Sequence, residues 1–180
     1  SNSATLTISA FMPIRLSERL NYLITYPYGC LEQTVSAAFP QLYLADIVSL
    51  NDEGKSRIRR NIIDAINKIA LFQLSGGGFS YWPGSPNIDQ YTTTYAGQFL
   101  LEAQRAGYVV NPELLNTWKN FQKKAAGAWS YKQADLGFYN DFNDVTQAYR
   151  LYSLALAGIP DFGALNQLKN YNKISSRSKW

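Results

Sequence analysis

The sequence predicts an all-α fold of antiparallel helical hairpins, and three observations carry that expectation. Apolar residues recur at three- and four-residue spacing through most of the chain after residue 15. No convincing period-two run appears beyond the first dozen residues. A weak internal repeat is also present: Gly76-Gly77-Gly78-Phe79-Ser80-Tyr81-Trp82 is echoed by Ala126-Gly127-Ala128-Trp129-Ser130-Tyr131, and the stretch Leu100 to Gly107 by Leu151 to Gly158. A period of roughly 50 residues holding two helices and a Gly/aromatic turn is a helical-hairpin repeat, whose units stack side by side or close into a ring.

Taken in order, residues 1–15 alternate weakly and contain Pro13, which reads as an extended lead-in; Ser1-Asn2-Ser3 resembles an expression remnant. From Leu16 the pattern turns helical, with Ser17 as N-cap and Leu20, Leu23 and Ile24 on one face. Pro27 and Gly29 stop that helix. A second runs from about Cys30 towards Leu50, with Val35, Phe39, Leu42 and Leu44 apolar, and Pro40 kinks or divides it. Asn51 to Gly54 reads as a loop, followed by a helix from about Ser56 to Leu74 whose stripe is Ile58, Ile62, Ile66, Ile69 and Leu71. Ser75 to Gly78 ends it, and Phe79 to Asn87 forms a Gly/Pro/aromatic loop. Helices are expected at about 89–106, 112–125, 142–157 and 162–170, separated by Asn111-Pro112 and Gly158-Ile159-Pro160. The final Ser176-Arg177-Ser178-Lys179-Trp180 reads as the start of a further helix, so residues 16–180 are expected to be part of a longer array.

Composition narrows the chemistry. The 46% hydrophobic content is enough for one packed core in 180 residues. No apolar run reaches the length of a membrane span. The net charge of +4 is mild, and its main cluster, Lys55 to Arg60, lies on an amphipathic helix where a solvated face explains it better than nucleic acid does. One cysteine rules out an internal disulfide, leaving either a buried inert thiol or a reactive one. The absence of histidine removes Cys-His pairs, Ser-His-Asp triads and the usual zinc sites; no cofactor or metal is expected.

Within Tyr28-Gly29-Cys30-Leu31-Glu32-Gln33, Cys30 and Gln33 stand three apart. On a helical turn such residues share a face, with β-carbons within about 6 Å. A thiolate there can reach the glutamine carbonyl, expel ammonia and leave an internal thioester. Pro27 and Gly29 place Cys30 at or near a helix N-terminus, whose dipole favours thiolate. Gly29, lacking a side chain, leaves room for another group to approach the sulfur. Tyr22, Tyr26 and Tyr28, with Tyr81 and Trp82, are the aromatic residues that would keep water from such a bond. Glu32 is a first-turn carboxylate or part of the reactive site.

The string Tyr26-Pro27-Tyr28-Gly29-Cys30-Leu31-Glu32-Gln33-Thr34-Val35-Ser36 resembles the thioester segment of the alpha-2-macroglobulin and complement superfamily. Leu31, where vertebrate members carry glycine, is similar to the bacterial branch. The loop Gly77 to Gly84 and the following Tyr91-Thr92-Thr93-Thr94-Tyr95-Ala96 also resemble that family's thioester domain. The resemblance covers most of residues 16–160 and implies an α/α toroid, with residues 16–180 a partial thioester domain. It implies Cys30 as thiol donor and Gln33 as acyl donor of a single-use covalent protease trap, a protease inhibitor rather than an enzyme. It further implies neighbouring macroglobulin-like domains, target proteases as partners, and a periplasmic or cell-surface, possibly lipid-anchored, parent. Some complement members pass the acyl group through a histidine; without one, direct attack by amines is expected.

Other groupings read more simply. The Gly76–Gly84 loop lacks Gly-Lys-Ser/Thr and is not a P-loop. Asp135, Asp141 and Asp144 are the most suggestive carboxylates. Asp141 and Asp144 would serve an alternative toroid enzyme as acid and base, but Asn140-Asp141 reads as an N-cap and Asp144 as a first-turn residue. A plain helical-repeat interaction module, with Cys30 as inert core, is the remaining alternative.

Overall fold

The computed structural model describes residues 20–130, 143–171, 173–175 and 178. The lead-in of residues 1–15, the Ser17 cap, Asp135 and Asp141 lie outside them. A 3-10 turn (Asn21–Leu23) precedes α1 (Leu31–Ala38), α2 (Gln41–Ile47), α3 (Asp52–Ala70), α4 (Gln90–Arg105), α5 (Pro112–Ala128), α6 (Asp144–Leu156) and α7 (Phe162–Lys169). Among the described residues there is no strand; isolated bridges join Gln73 to Phe79 and Ser80 to Ile88.

Several boundaries differ from expectation, each for a local reason. The helix expected from Leu16 lies mostly outside the described residues; its described end, Leu20, is helical and runs into the 3-10 turn, where the Thr25 hydroxyl donates to the Tyr22 carbonyl at 2.8 Å. Pro40, with no N–H to offer, divides the second helix into α1 and α2. Asn51 to Gly54, expected as a loop, is instead the start of α3: Asn51 Oδ1 accepts from Gly54 N at 2.8 Å, and Asp52 and Glu53 sit in the first turn. That helix ends at Ala70, so Leu71 is 78% exposed and not part of the buried stripe. The cap of α6 is Asn143, whose Oδ1 accepts from Thr146 N at 2.8 Å, rather than Asn140-Asp141.

The helices form two layers. Helices α1, α4 and α6 are successive neighbours, and α3, α5 and α7 pack against them. One core joins Leu31, Val35, Ile62, Ile69, Phe99 and Trp118; a second joins Ala126, Trp129, Leu151, Leu154 and Leu168. Each fully buried large apolar side chain contributes about 2 kcal/mol. Buried Arg150 ties the layers together, donating to Gln122 Oε1 at 3.0 Å, Gln147 Oε1 at 2.6 Å and Gln90 Oε1 at 2.8 Å.

The repeat is written into the hydrogen bonds. After α4, Ala106, Gly107 and Tyr108 donate to the carbonyls of Glu102, Gln104 and Ala103; after α6, Ala157, Gly158 and Ile159 donate to those of Ser153, Ala155 and Leu154. Gly107 (φ +88°) and Gly158 (φ +77°) close both helices in the left-handed conformation. Equivalent positions also touch: the Tyr149 hydroxyl donates to Gln98 Oε1 at 2.6 Å, and Arg105 Nη2 donates to the Leu156 carbonyl at 2.7 Å.

Candidate functional site

Residues 25–29 cross the protein as a strap that ends at the α1 N-terminus. Gln41 Nε2 donates to the carbonyls of Thr25 and Ala37, both at 2.8 Å, while Asn61 Nδ2 donates to Gln41 Oε1 at 3.0 Å. Lys68 Nζ reaches from α3 to the Pro27 carbonyl at 3.0 Å. These anchors lie 16–41 residues away in sequence, and no local pattern announces them.

The strap delivers Cys30 as the N-cap of α1, in extended backbone (φ −71°, ψ 176°), with its side chain 2% exposed. The Cys30 N–H donates to Gln33 Oε1 at 3.2 Å. Cys30 and Gln33 thus form a reciprocal capping box in which the cysteine side chain faces the Gln33 backbone N–H and the Gln33 side chain reaches back to the Cys30 backbone N–H. The hydrogen bond from the Cys30 N–H fixes the Gln33 carboxamide at the helix cap and polarises its carbonyl. Thr34 holds the Cys30 carbonyl through its N–H at 2.9 Å and its hydroxyl at 2.8 Å.

Gly29 has a sharper role than leaving space for an outside group. Its φ of +89° is left-handed, and a β-carbon there would fall on Gln33 Oε1 and lie 2.9 Å from Gln33 Cδ. The bare backbone is occupied by the glutamine's own carboxamide.

The Gly/aromatic loop docks onto this turn. The Tyr81 carbonyl accepts the Leu31 N–H at 3.0 Å, and the Tyr81 hydroxyl donates to Glu32 Oε2 at 2.8 Å. Hydrogen bonding to the Cys30 side chain first, and to the Glu32 carboxylate second, pushes the Tyr81 phenol well above its ordinary range. Ser80 steadies the loop, its hydroxyl bonding the Trp82 carbonyl at 2.9 Å.

Of the expected site residues, Cys30, Gln33, Gly29, Glu32 and Tyr81 come together, and Pro27 is buried in the strap. Trp82 packs edge-on against Tyr81 with centroids 5.8 Å apart but is 56% exposed. Tyr26 and Tyr28 contact each other at 4.4 Å and are 40% and 72% exposed; Tyr22 is 83% exposed. Within this chain those three rings face solvent more than they cover the sulfur. Lys68, Thr34 and Gln41 are the positioning residues that sequence reasoning missed.

Asp144 has a different occupation from the enzyme alternative. It accepts from Ser175 N at 2.6 Å and Ser178 Oγ at 2.9 Å. Burial alone would raise its carboxyl, but these hydrogen bonds outweigh burial and hold it below the usual carboxylate range. A general acid needs the opposite shift. Among the described residues no three His, Cys, Asp or Glu side chains gather as metal ligands. A cleft of about 600 Å³ between α6 and α7, lined by Tyr152, Phe162 and Leu165, shares no residue with the Cys30 turn.

The chain is similar in sequence and in fold to known proteins. The profile of the A-macroglobulin TED domain matches residues 3–159. The chain is 35% identical over 117 residues to an alpha-2-macroglobulin of Xylella fastidiosa, covering 63% of this chain and 7% of that protein. It is 35% identical over 115 residues to the Escherichia coli K12 alpha-2-macroglobulin, covering 62% and 7%. The chain therefore spans only a small part of these relatives. Salmonella alpha-2-macroglobulin reacted with methylamine superposes with a TM-score of 0.69 at 28% identity, over 87% of this chain and 10% of that one. The native Escherichia coli protein, at 24% identity and TM-score 0.72 over 91% and 11%, supports the fold, the hairpins being those of an α/α toroid. The chain belongs to the A-macroglobulin TED family, as thioester-domain sequence of the bacterial alpha-2-macroglobulin type.

Proposed function

We propose that this chain is the reactive part of a covalent protease trap. Cys30 Sγ would attack Gln33 Cδ and expel ammonia, leaving an internal thioester. A surface amine of a captured protease would then displace the sulfur, giving an amide at Gln33 and a free Cys30 thiol. The carrying observation is the Gln33 carboxamide folded over bare Gly29 and held by the Cys30 N–H at 3.2 Å. That arrangement supports the reading, because a carboxamide already held at the Cys30 cap needs little reorganisation to meet the thiol. Methylamine, with which the Salmonella relative was reacted, is the simplest amine of this kind.

Each molecule would react once, so the chain inhibits by capture rather than turnover. Macroglobulin-like neighbours in the parent polypeptide would shelter the thioester and supply the proteolytic trigger. Such a trap belongs outside the cytoplasm, in the periplasm or at the cell surface. The test is the intact mass of the full natural polypeptide. We expect a mass one ammonia below the sequence value, and methylamine should add to it with release of one thiol. An unmodified mass with no methylamine adduct would refute the reading.

A further inference from the structure

We propose that the Cys30 backbone N–H is the oxyanion donor of the thioester chemistry, holding Gln33 Oε1 while that oxygen carries negative charge. The inference rests on the acyl transfer proposed above and assigns the group that stabilises its transition states. The donor is already in place, with Cys30 N 3.2 Å from Gln33 Oε1. It stands at the N-terminus of α1, where the helix dipole adds positive potential. The neighbouring Leu31 N–H is taken by the Tyr81 carbonyl at 3.0 Å and does not compete for the same oxygen. Gly29, at φ +89°, leaves the space in which that oxygen sits. The peptide carrying the donor ends a strap pinned by Gln41 at the Thr25 carbonyl and by Lys68 at the Pro27 carbonyl. Cys30 is itself buried. A donor fixed beforehand in such a water-poor site costs no reorganisation when charge appears.

One donor serves both halves of the reaction. In formation, sulfur attacks Gln33 Cδ, the C–S bond forms and the carbonyl π pair moves onto Oε1. Its return breaks the C–N bond, and ammonia leaves with the proton of the thiol. In capture, an amine attacks the same carbon and the pair again moves onto Oε1. Its return breaks the C–S bond, and the proton lost by nitrogen ends on sulfur. Both tetrahedral intermediates place their charge on the one atom that the N–H faces. At 3.2 Å the hydrogen bond is at the long end for a neutral pair, and it shortens and strengthens as the oxygen becomes anionic. Tighter holding of the transition state than of the ground state is what a rate enhancement requires. The donor is main chain, which suits a sequence with no histidine.

The test deletes only that N–H. In the full natural polypeptide, the hydroxy-acid analogue of cysteine at residue 30 turns the Gly29–Cys30 peptide bond into an ester and keeps every side chain. Once intact mass has established the thioester, thiol release by methylamine should be about a hundredfold to a thousandfold slower than in wild type. Alkylation of the freed Cys30 thiol by iodoacetamide, which puts no charge on Gln33, should run at the same rate in both. The thioester carbonyl is followed in the infrared with glutamine isotope-labelled at Cδ, as the labelled band lost on methylamine treatment. It should absorb at lower frequency in wild type than in the ester. Equal methylamine rates overturn the assignment while leaving the thioester reading intact. A slowing shared by alkylation also overturns it, being the mark of a structural defect. Should the ester fail to carry the thioester, the wild-type band is judged against a simple S-alkyl thioester in dry hydrocarbon. A lower frequency then supports the donor, and an equal or higher one overturns it. A wild type with no ammonia-deficient mass overturns both readings.

Discussion

Replacing Gly29 by alanine tests the geometry on which the site depends. Holding alanine at φ +89° costs about 1–2 kcal/mol from the backbone alone. The new methyl also falls on Gln33 Oε1, so the carboxamide must swing away and its bond to the Cys30 N–H is lost, adding about 1 kcal/mol. The sum, about 2–3 kcal/mol, should lower Tm by roughly 4–12 °C in a chain of this size. Gly107 is the matched control: its φ is +88°, and a β-carbon there meets nothing within 4 Å. Gly107→Ala should carry the backbone cost only. Thermal unfolding measures the first difference and intact mass the second, since Gly29→Ala should abolish the ammonia-deficient species while Gly107→Ala retains it. A displacement of about 1 Å in reacting atoms already costs a hundredfold in rate. If Gly29→Ala matches Gly107→Ala in both stability and thioester yield, the bare backbone at residue 29 is not there for Gln33.

Other perturbations separate structural from chemical roles. Gly97→Ala would drive a methyl into the Trp118 indole ring and should destabilise by about 1–3 kcal/mol in denaturant titration, without affecting the Cys30 turn directly. Gln41→Ala removes donors to Thr25 and Ala37 and the acceptor for Asn61; we expect a loss of about 2 kcal/mol and faster hydrogen exchange across residues 25–29. Asp144 has a lowered carboxyl pKa in the folded state, so its stabilising contribution is fully present above the unfolded value, about 3.9, and is lost as pH falls through the folded one. Asp144→Asn should therefore be less stable than wild type at neutral pH, with the gap narrowing below about pH 4. A gap that stays constant down to pH 2 would refute the assignment.

The juxtaposition of Cys30 and Gln33 was legible in the sequence because its determinants are local. A cysteine and a glutamine three apart after a chain break share a helical face, and the capping box realises that relation. Gly29 was read correctly as a place of close approach but for the wrong visitor, since spacing does not reveal that Gln33 folds backwards. The bond between Tyr81 and Glu32, 49 residues apart, was beyond pattern reasoning. The repeat, by contrast, was readable because its helix-closing glycines recur in the sequence itself. Asn51 was misread because the sequence Asn-Asp-Glu-Gly suits a turn as well as a cap; the Gly54 amide decides between them.

The hydrogen bond from the Cys30 amide to Gln33 both ends a helix and holds a carbonyl, which imposes an order of events on the chain. In the unfolded polypeptide the cysteine and the glutamine are two ordinary side chains, and nothing favours their reaction. Helix ends form within about a microsecond, whereas the Tyr81 loop can arrive only once distant parts of the chain have docked. A thioester made here would therefore be a late product of maturation, formed on an assembled domain. A chain that misfolds would stay unarmed, with its acylating power never created rather than merely concealed.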